Sequence, residues 1–203
     1  LFVPAGTVRW WQAWVYLVAF FGPSTLITVR LMSEDRALLE RRMSGGPMAE
    51  RRPAQRIIMG FASLAFIGLL VVPGFDHRFG WSHVPLAAAI MGDALVIIGF
   101  AAIARVYREN SYTSATIDVM AGQTVISTGP YAIVRHPMYA SASLYVLGTP
   151  LALGSWWGLV PVAVMVPFLI WRLLDEERLL VRDLRGYADY RRRVRFRLVP
   201  HVW

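Results

Sequence analysis

Long apolar segments alternate with short polar ones along the whole chain. Five of them reach or approach the roughly 20 residues that a helix needs to cross a bilayer. They are residues 10–29, 57–75, 84–104, 137–153 and 158–174. The pattern predicts an all-α fold, a polytopic membrane bundle of about five transmembrane helices with a cytoplasmic C-terminal helical tail.

The linker between the last two apolar segments is only five residues long, Gly154 to Gly158. Such a short linker predicts a tight antiparallel hairpin, with Trp156 and Trp157 at one membrane interface. Residues 135–139 and 172–177 should then meet at the same membrane depth. Two polar clusters that are far apart in sequence would converge on one site.

Charge orients this bundle in the membrane. All 21 basic residues are Arg, and 19 of them lie in segments 30–56, 105–136 and 172–203, against two on the other side. The positive-inside rule therefore places those three segments in the cytoplasm. Arg without Lys is typical of a high-GC bacterium, which suggests the bacterial inner membrane. The basic tail, interrupted at Gly186, suits an anionic lipid surface better than nucleic acid.

Composition narrows the chemistry. Hydrophobic residues make up 56% of the chain and Cys is absent, which excludes disulfides, thiolate nucleophiles and Cys-based metal sites. No Gly-x-Gly-x-x-Gly motif supports a nucleotide site of the Rossmann type. We expect one membrane domain over 1–203, with N-terminal spans in 1–104 and a catalytic half in 105–203. The first residue is Leu1 rather than Met, and we expect an upstream segment to be missing.

The fourth apolar segment begins with Arg135-His136-Pro137-Met138-Tyr139. A residue before proline favours extended backbone, and proline suits the first helical position, so the helix should begin at Pro137. Its free N–H groups would then face the cytoplasm and could bind an anion such as a carboxylate. The alternative is that Arg135 and His136 are only the charged flank of a membrane helix.

The fifth segment ends in an unusual acidic cluster, Asp175-Glu176-Glu177, on an otherwise Arg-rich side. Arg172 and Glu176 are four residues apart and share a helical face. They could therefore form an ordinary interfacial ion pair. They could instead belong to the site on which the fourth segment also converges.

These features together resemble a known family. The segment "GQTVISTGPYAIVRHPMY", the apolar hairpin, the double Glu and the tail "GYADYRRRVRFRLVP" are similar to isoprenylcysteine carboxyl methyltransferases and to the related phospholipid N-methyltransferases. The resemblance covers roughly residues 105–203, whereas the N-terminal half matches only as generic spans.

The resemblance implies an S-adenosylmethionine pocket that faces the cytoplasm, with S-adenosylhomocysteine as the product. Glu176 would bind the cofactor and Arg172 the substrate carboxylate, which makes these two the candidate catalytic residues. Glu177 would pair with Arg135 or the tail, and a shorter linker before Tyr187 leaves Tyr187 and Tyr190 unassigned. The other implied cofactor-binding residues are Thr116, Gln123, Thr124, Val125, Ile126, Tyr131, His136, Pro137, Met138 and Tyr139.

The resemblance implies a small-molecule or lipophilic methyl acceptor that enters from the lipid bilayer. Methyl transfer depends on in-line alignment, and a carboxylate is already ionised at neutral pH, so it needs no strong base. A carboxylate is therefore the favoured acceptor, ahead of an amine or a thiol, for which His136 or a carboxylate side chain would remove the proton. The oligomeric state stays open.

Two other functions fit parts of the sequence. An NADPH-dependent membrane reductase of the sterol type would share the His-Pro-x-Tyr element, although the acidic cluster disfavours a 2′-phosphate. A non-catalytic membrane scaffold would use Arg172 and Glu176 as a structural ion pair. Asp93 lies within a span and is a functional candidate by default. We expect no metal, because Asp76, His77 and His83 match no ligand pattern.

Overall fold

The computed structural model describes residues 1–50 and 52–203, and within them the regular structure is helical. This confirms the predicted all-α fold. Short 3-10 turns lie at Pro47–Ala49 and Gly129–Ala132. The α-helices are α1 (Phe2–Ala5), α2 (Trp11–Glu34), α3 (Arg36–Met43), α4 (Pro53–Phe79), α5 (Leu86–Glu109), α6 (Pro137–Ala152), α7 (Leu159–Asp183) and α8 (Tyr187–Arg193).

Local sequence signals set several helix boundaries. The Asp35 side chain accepts a hydrogen bond from the Leu38 N–H and caps α3. Pro53 and Pro137 occupy the first positions of α4 and α6, where a missing N–H costs nothing. Gly186, with φ of 87°, takes a left-handed conformation between α7 and α8. The predicted break of the tail at Gly186 is thereby confirmed.

Within the described residues, three helices are long and apolar enough to cross a membrane: α2, α4 and α5. In the most apolar 18-residue stretch of each helix, only 17%, 28% and 33% of the residues are buried. The outer faces of these helices are therefore free to contact lipid. The prediction of five spans is therefore not confirmed. Helix α6 has 16 residues, about 24 Å of helix, and the second half of α7 is charged.

The apolar helices pack as two closely fitted pairs, α5 with α6 and α4 with α7. Helices α6 and α7 keep their short linker and antiparallel order, but they pack mainly on other helices, so the expectation that their hairpin is tight was wrong. Two glycines explain why α6 packs on α5 rather than on α7. Gly92 of α5 faces the backbone of α6, and Gly148 of α6 faces the backbone of α5, which lets these two helices approach more closely than side chains would permit.

We expect Gly92→Ala to destabilise the protein by about 1–3 kcal/mol, because overpacking forces the helices apart. An added Cβ would lie 2.3 Å from the Ala152 nitrogen and 2.7 Å from the Gly148 oxygen. Gly60→Ala in α4 is the control, since nothing lies within 4 Å of a Cβ there. Thermal unfolding in detergent should show a lower Tm for Gly92→Ala and an unchanged or higher one for Gly60→Ala. Equal effects would contradict the close approach.

A buried carboxylate closes the end of the bundle opposite the Arg-rich segments. Asp76 is 1% exposed and accepts hydrogen bonds from the hydroxyls of Ser82 and Ser155, each at 2.5 Å. The neighbouring His77 stacks on Trp10, with ring centroids 4.7 Å apart. Asp76 therefore connects the end of α4 to two loops, while His77 packs against an aromatic ring.

Candidate active site

A cavity of about 620 Å³ opens at the Arg-rich end of the bundle. Its wall comes from α4 and α5, the loop after α5, the first turns of α6, the second half of α7, and α8. All of the site residues implied by the resemblance line this one cavity: Thr116, Gln123, Thr124, Val125, Ile126, Tyr131, His136, Pro137, Met138, Tyr139, Arg172 and Glu176.

The residues before α6 are joined to the C-terminal tail. The N–H groups of Arg135 and His136 donate to the carbonyl oxygens of Phe196 and Arg197, at 2.9 and 3.0 Å. Both residues are buried at this short pairing, with 6% and 4% of their surface exposed. Arg135 and His136 are therefore part of a packed wall of the cavity, and the reading of them as a solvated flank is wrong.

Glu177 is the centre of a buried charged cluster behind that wall. Its carboxylate oxygens lie 2.6 Å from Arg135 Nε, 3.0 Å from Arg197 Nε and 3.4 Å from His136 Nε2. Burial raises the pKa of Glu177, but hydrogen bonds from His136 and Arg135 outweigh burial and hold this pKa at about 2. The expectation that Glu177 pairs with Arg135 or the tail is confirmed, and it does both.

The convergence of the α6 start with the α7 end is also confirmed. The Tyr139 hydroxyl donates a hydrogen bond of 2.6 Å to Glu176. A carboxylate that accepts one bond from a phenol keeps its remaining lone pairs for a ligand. Glu176 therefore presents a hydrogen-bond acceptor to the cavity.

Arg172 is held by residues from the N-terminal half of the chain. Its Nη1 lies 2.8 Å from Gln55 Oε1 and 2.8 Å from a carboxylate oxygen of Glu50, and its Nη2 donates to the Ala115 carbonyl at 2.8 Å. Glu50 is only 2% exposed. The counter-ion of Arg172 is thus Glu50, which precedes α4, while Glu176 is engaged by Tyr139.

A second acid extends this network along α7. Asp175 accepts from Gln55 Nε2 at 2.5 Å and from Arg52 Nη1 at 2.7 Å. Gln55 therefore uses both ends of its amide, one on Asp175 and the other on Arg172. The result is a chain of alternating charges and amide groups that fixes the Arg172 guanidinium with little freedom to rotate.

Several tyrosines complete the cavity. Tyr131 accepts a hydrogen bond of 2.9 Å from Asn110, and burial raises the pKa of Tyr131 to about 12. Tyr187 and Tyr190, which the resemblance left unassigned, also line the cavity. Asp93 does not line it, and among the described residues nothing hydrogen-bonds its Oδ1.

Glu50 and Gln55 were missed because the resemblance stops before the N-terminal half. The sequence carries no specific signal for Glu50, which is one of four acids in the Arg-rich segment between the first two spans. Nothing in the sequence indicated Gln55, whose position is an ordinary polar site in the first turn of a membrane helix.

Residues 87–185 match the family model described as phospholipid methyltransferase. This segment belongs to the phospholipid methyltransferase family. The match runs from α5 through α7, so it includes the Arg135–Tyr139 turn and the Arg172–Glu177 cluster. The resemblance to membrane methyltransferases is confirmed, and with it the general class of the protein. A comparison with curated proteins gives no match.

The family segment does not contain every residue that shapes the cavity. Glu50 and Gln55, which hold Arg172, precede it, and the lining residues Tyr187 and Tyr190 follow it. These parts of the protein therefore have to be interpreted from their own contacts.

Proposed function

We propose that the protein transfers a methyl group from S-adenosylmethionine to a small or lipophilic acceptor at the cavity of the Arg-rich end. One observation carries the proposal: Glu176, with its Tyr139 partner, and Arg172 converge on a single cavity from a segment of the phospholipid methyltransferase family. We further propose that this end faces the cytoplasm of a bacterial inner membrane, following the Arg distribution.

The cavity has the properties that this cofactor requires. Its volume falls in the range of about 300–1,000 Å³ that is typical of ligand sites, and its lining mixes apolar side chains with a few fixed polar groups. Backbone and side chains of residues 123–126 would hold it on one side, and Tyr131, residues 136–139 and Glu176 on the other. When bound, the cofactor supplies an electrophilic methyl group on a sulfonium.

The residues of the chain contribute orientation rather than acid–base chemistry. The pairing of residues 135–136 with 196–197 and the Glu177 cluster fix the first turn of α6, and so hold Tyr139 on Glu176. In-line displacement gains most of its rate from such alignment. A carboxylate acceptor would bring no proton that has to be removed.

Arg172 would hold the acceptor. A guanidinium is matched to a carboxylate in shape and charge, and Arg172 is immobilised by Gln55 and the Ala115 carbonyl. An acceptor carboxylate would either share Arg172 with Glu50 or take the place of Glu50 as its counter-ion. The apolar side chains of Phe66, Met165 and Leu169 line the same cavity and suit a lipophilic acceptor that enters from the bilayer.

The proposal is tested by calorimetric titration of S-adenosylhomocysteine into detergent-purified protein, with NADPH as the control ligand. We expect saturable binding of the first ligand and none of NADPH. Glu176→Gln should weaken binding at least about 10-fold, because a ligand group loses an anionic partner. Asp183→Asn, on an exposed part of α7, should leave binding unchanged. Binding of NADPH alone would support a reductase, and binding of neither ligand to folded protein would support a scaffold.

A further inference from the structure

Tyr187 places a buried hydroxyl beside the cavity without a hydrogen-bond partner in the described part of the chain. Tyr187 lies on α8, is 4% exposed and lines the cavity. Its hydroxyl oxygen is buried, and no group among residues 1–50 and 52–203 hydrogen-bonds to it. A buried hydroxyl without a partner loses its bonds to water and gains nothing in return, so such groups are rare in folded proteins.

The neighbouring tyrosines show that this is not a general property of the region. Tyr139 donates to Glu176 at 2.6 Å. Tyr190, one helical turn after Tyr187, donates to the Tyr131 carbonyl at 2.8 Å. Tyr131 accepts from Asn110 at 2.9 Å. Tyr187 alone of these four has a hydroxyl with no partner in the described part of the chain, although the residue lines the same cavity.

The electrostatics around Tyr187 define the ligand group that would fit. Burial and the carboxylates of Glu177 and Glu176 raise the pKa of Tyr187, which keeps the phenol neutral and able to donate. Both carboxylates also disfavour another anion at this position. Glu177 is already engaged by Arg135 and Arg197, whereas Glu176 accepts a single phenol.

We propose that Tyr187 binds the cofactor by donating its hydroxyl hydrogen to an oxygen of the ribose diol, while Glu176 accepts a hydrogen bond from that diol. The inference rests on the proposed function and deepens it. Tyr187 lies outside the family segment, which ends at residue 185.

A sugar hydroxyl satisfies both partners because it can donate and accept at once. An ammonium group could donate to Glu176 but could not accept from the phenol. A carboxylate could accept from the phenol but would be repelled by Glu176. In nucleotide-binding sites, an acidic side chain commonly accepts a hydrogen bond from a ribose hydroxyl.

Tyr187→Phe tests the assignment, with Tyr190→Phe as the matched control on the same helix. Two ligands are titrated into the full-length protein, S-adenosylhomocysteine and 5′-methylthioadenosine, which keeps the ribose but lacks the amino-acid end. We expect Tyr187→Phe to weaken both ligands by about 3- to 10-fold, the size of one lost hydrogen bond. The Tm of the ligand-free protein should not fall, because the removed hydroxyl has no bond to lose.

Tyr190→Phe should instead lower the Tm, since its hydroxyl bonds the Tyr131 carbonyl. Unchanged affinities in Tyr187→Phe would overturn the inference and leave the proposed function intact. A loss confined to S-adenosylhomocysteine would place Tyr187 at the amino-acid end and overturn the ribose assignment. A wild-type protein that binds neither ligand would overturn the proposed function itself.

Discussion

Glu177→Gln should destabilise the protein by roughly 3–5 kcal/mol, because it leaves a buried guanidinium without its counter-ion. Arg135 and Glu177 have side chains that are each 4% exposed, and their contact of 2.6 Å closes the wall between α6 and the tail. Gln has nearly the same volume as Glu, so the loss of stability is caused by the missing charge and not by a cavity. The measurement is the Tm in detergent, which should fall by about 10 °C or more.

Asp183→Asn is the control for this experiment, because the Arg182–Asp183 pair lies on the surface of the same helix. Exposed pairs contribute little to stability, so its Tm should not change measurably. A similar Tm for Glu177→Gln and the wild type would show that Arg135 does not depend on Glu177.

The same cluster gives the stability a definite pH dependence. The pKa of Glu177 is about 2 in the folded protein, below its ordinary value near 4.5. The unfolded chain therefore binds the proton more readily, and stability is lost as the pH falls from about 4.5 towards 2. The loss amounts to about 3 kcal/mol. Glu177→Gln should show a smaller decrease over this range.

Arg172→Gln should reduce methyl transfer to a carboxylate acceptor at least about 100-fold, since Arg172 is the group that we propose to align this acceptor. Dodecanoate serves as the carboxylate probe and dodecylamine as its amine counterpart, with radiolabelled S-adenosylmethionine as donor. The substitution also leaves Glu50 buried without its counter-ion, so the single variant should lose stability as well.

A double variant separates these two effects. Glu50→Gln with Arg172→Gln removes both charges and should recover most of the Tm, while transfer to dodecanoate stays lost and S-adenosylhomocysteine still binds. Recovery of transfer in the double variant would show that Arg172 only neutralises Glu50. Transfer by the wild type to dodecylamine alone would make an amine the acceptor and leave Arg172 with a structural role.

The sequence predicted the features that depend on local pattern. Hydrophobic length located the three helices that are long and apolar enough to cross a membrane, Pro137 marked the start of α6, and Gly186 marked the break before α8. The antiparallel order of the last two apolar segments correctly brought Tyr139 to Glu176. Local pattern was sufficient here because a membrane helix leaves its two ends at opposite surfaces.

Features that depend on which helices pack together were not predicted. Nothing in the linker at 154–158 indicated that α6 would pair with α5, because that choice follows from backbone contact at Gly92 and Gly148. Glu50 was missed for the same reason. A residue 122 positions away from Arg172 becomes its counter-ion only once α4 lies against α7.

The pairing of residues 135–136 with 196–197 has a consequence for how the protein folds during its synthesis. The ribosome makes the start of α6 about sixty residues before the segment that completes its wall. A nascent chain with all its membrane helices inserted still lacks the groups that fix Arg135 and Glu177. We therefore expect the proposed cofactor to bind only after synthesis has passed residue 197.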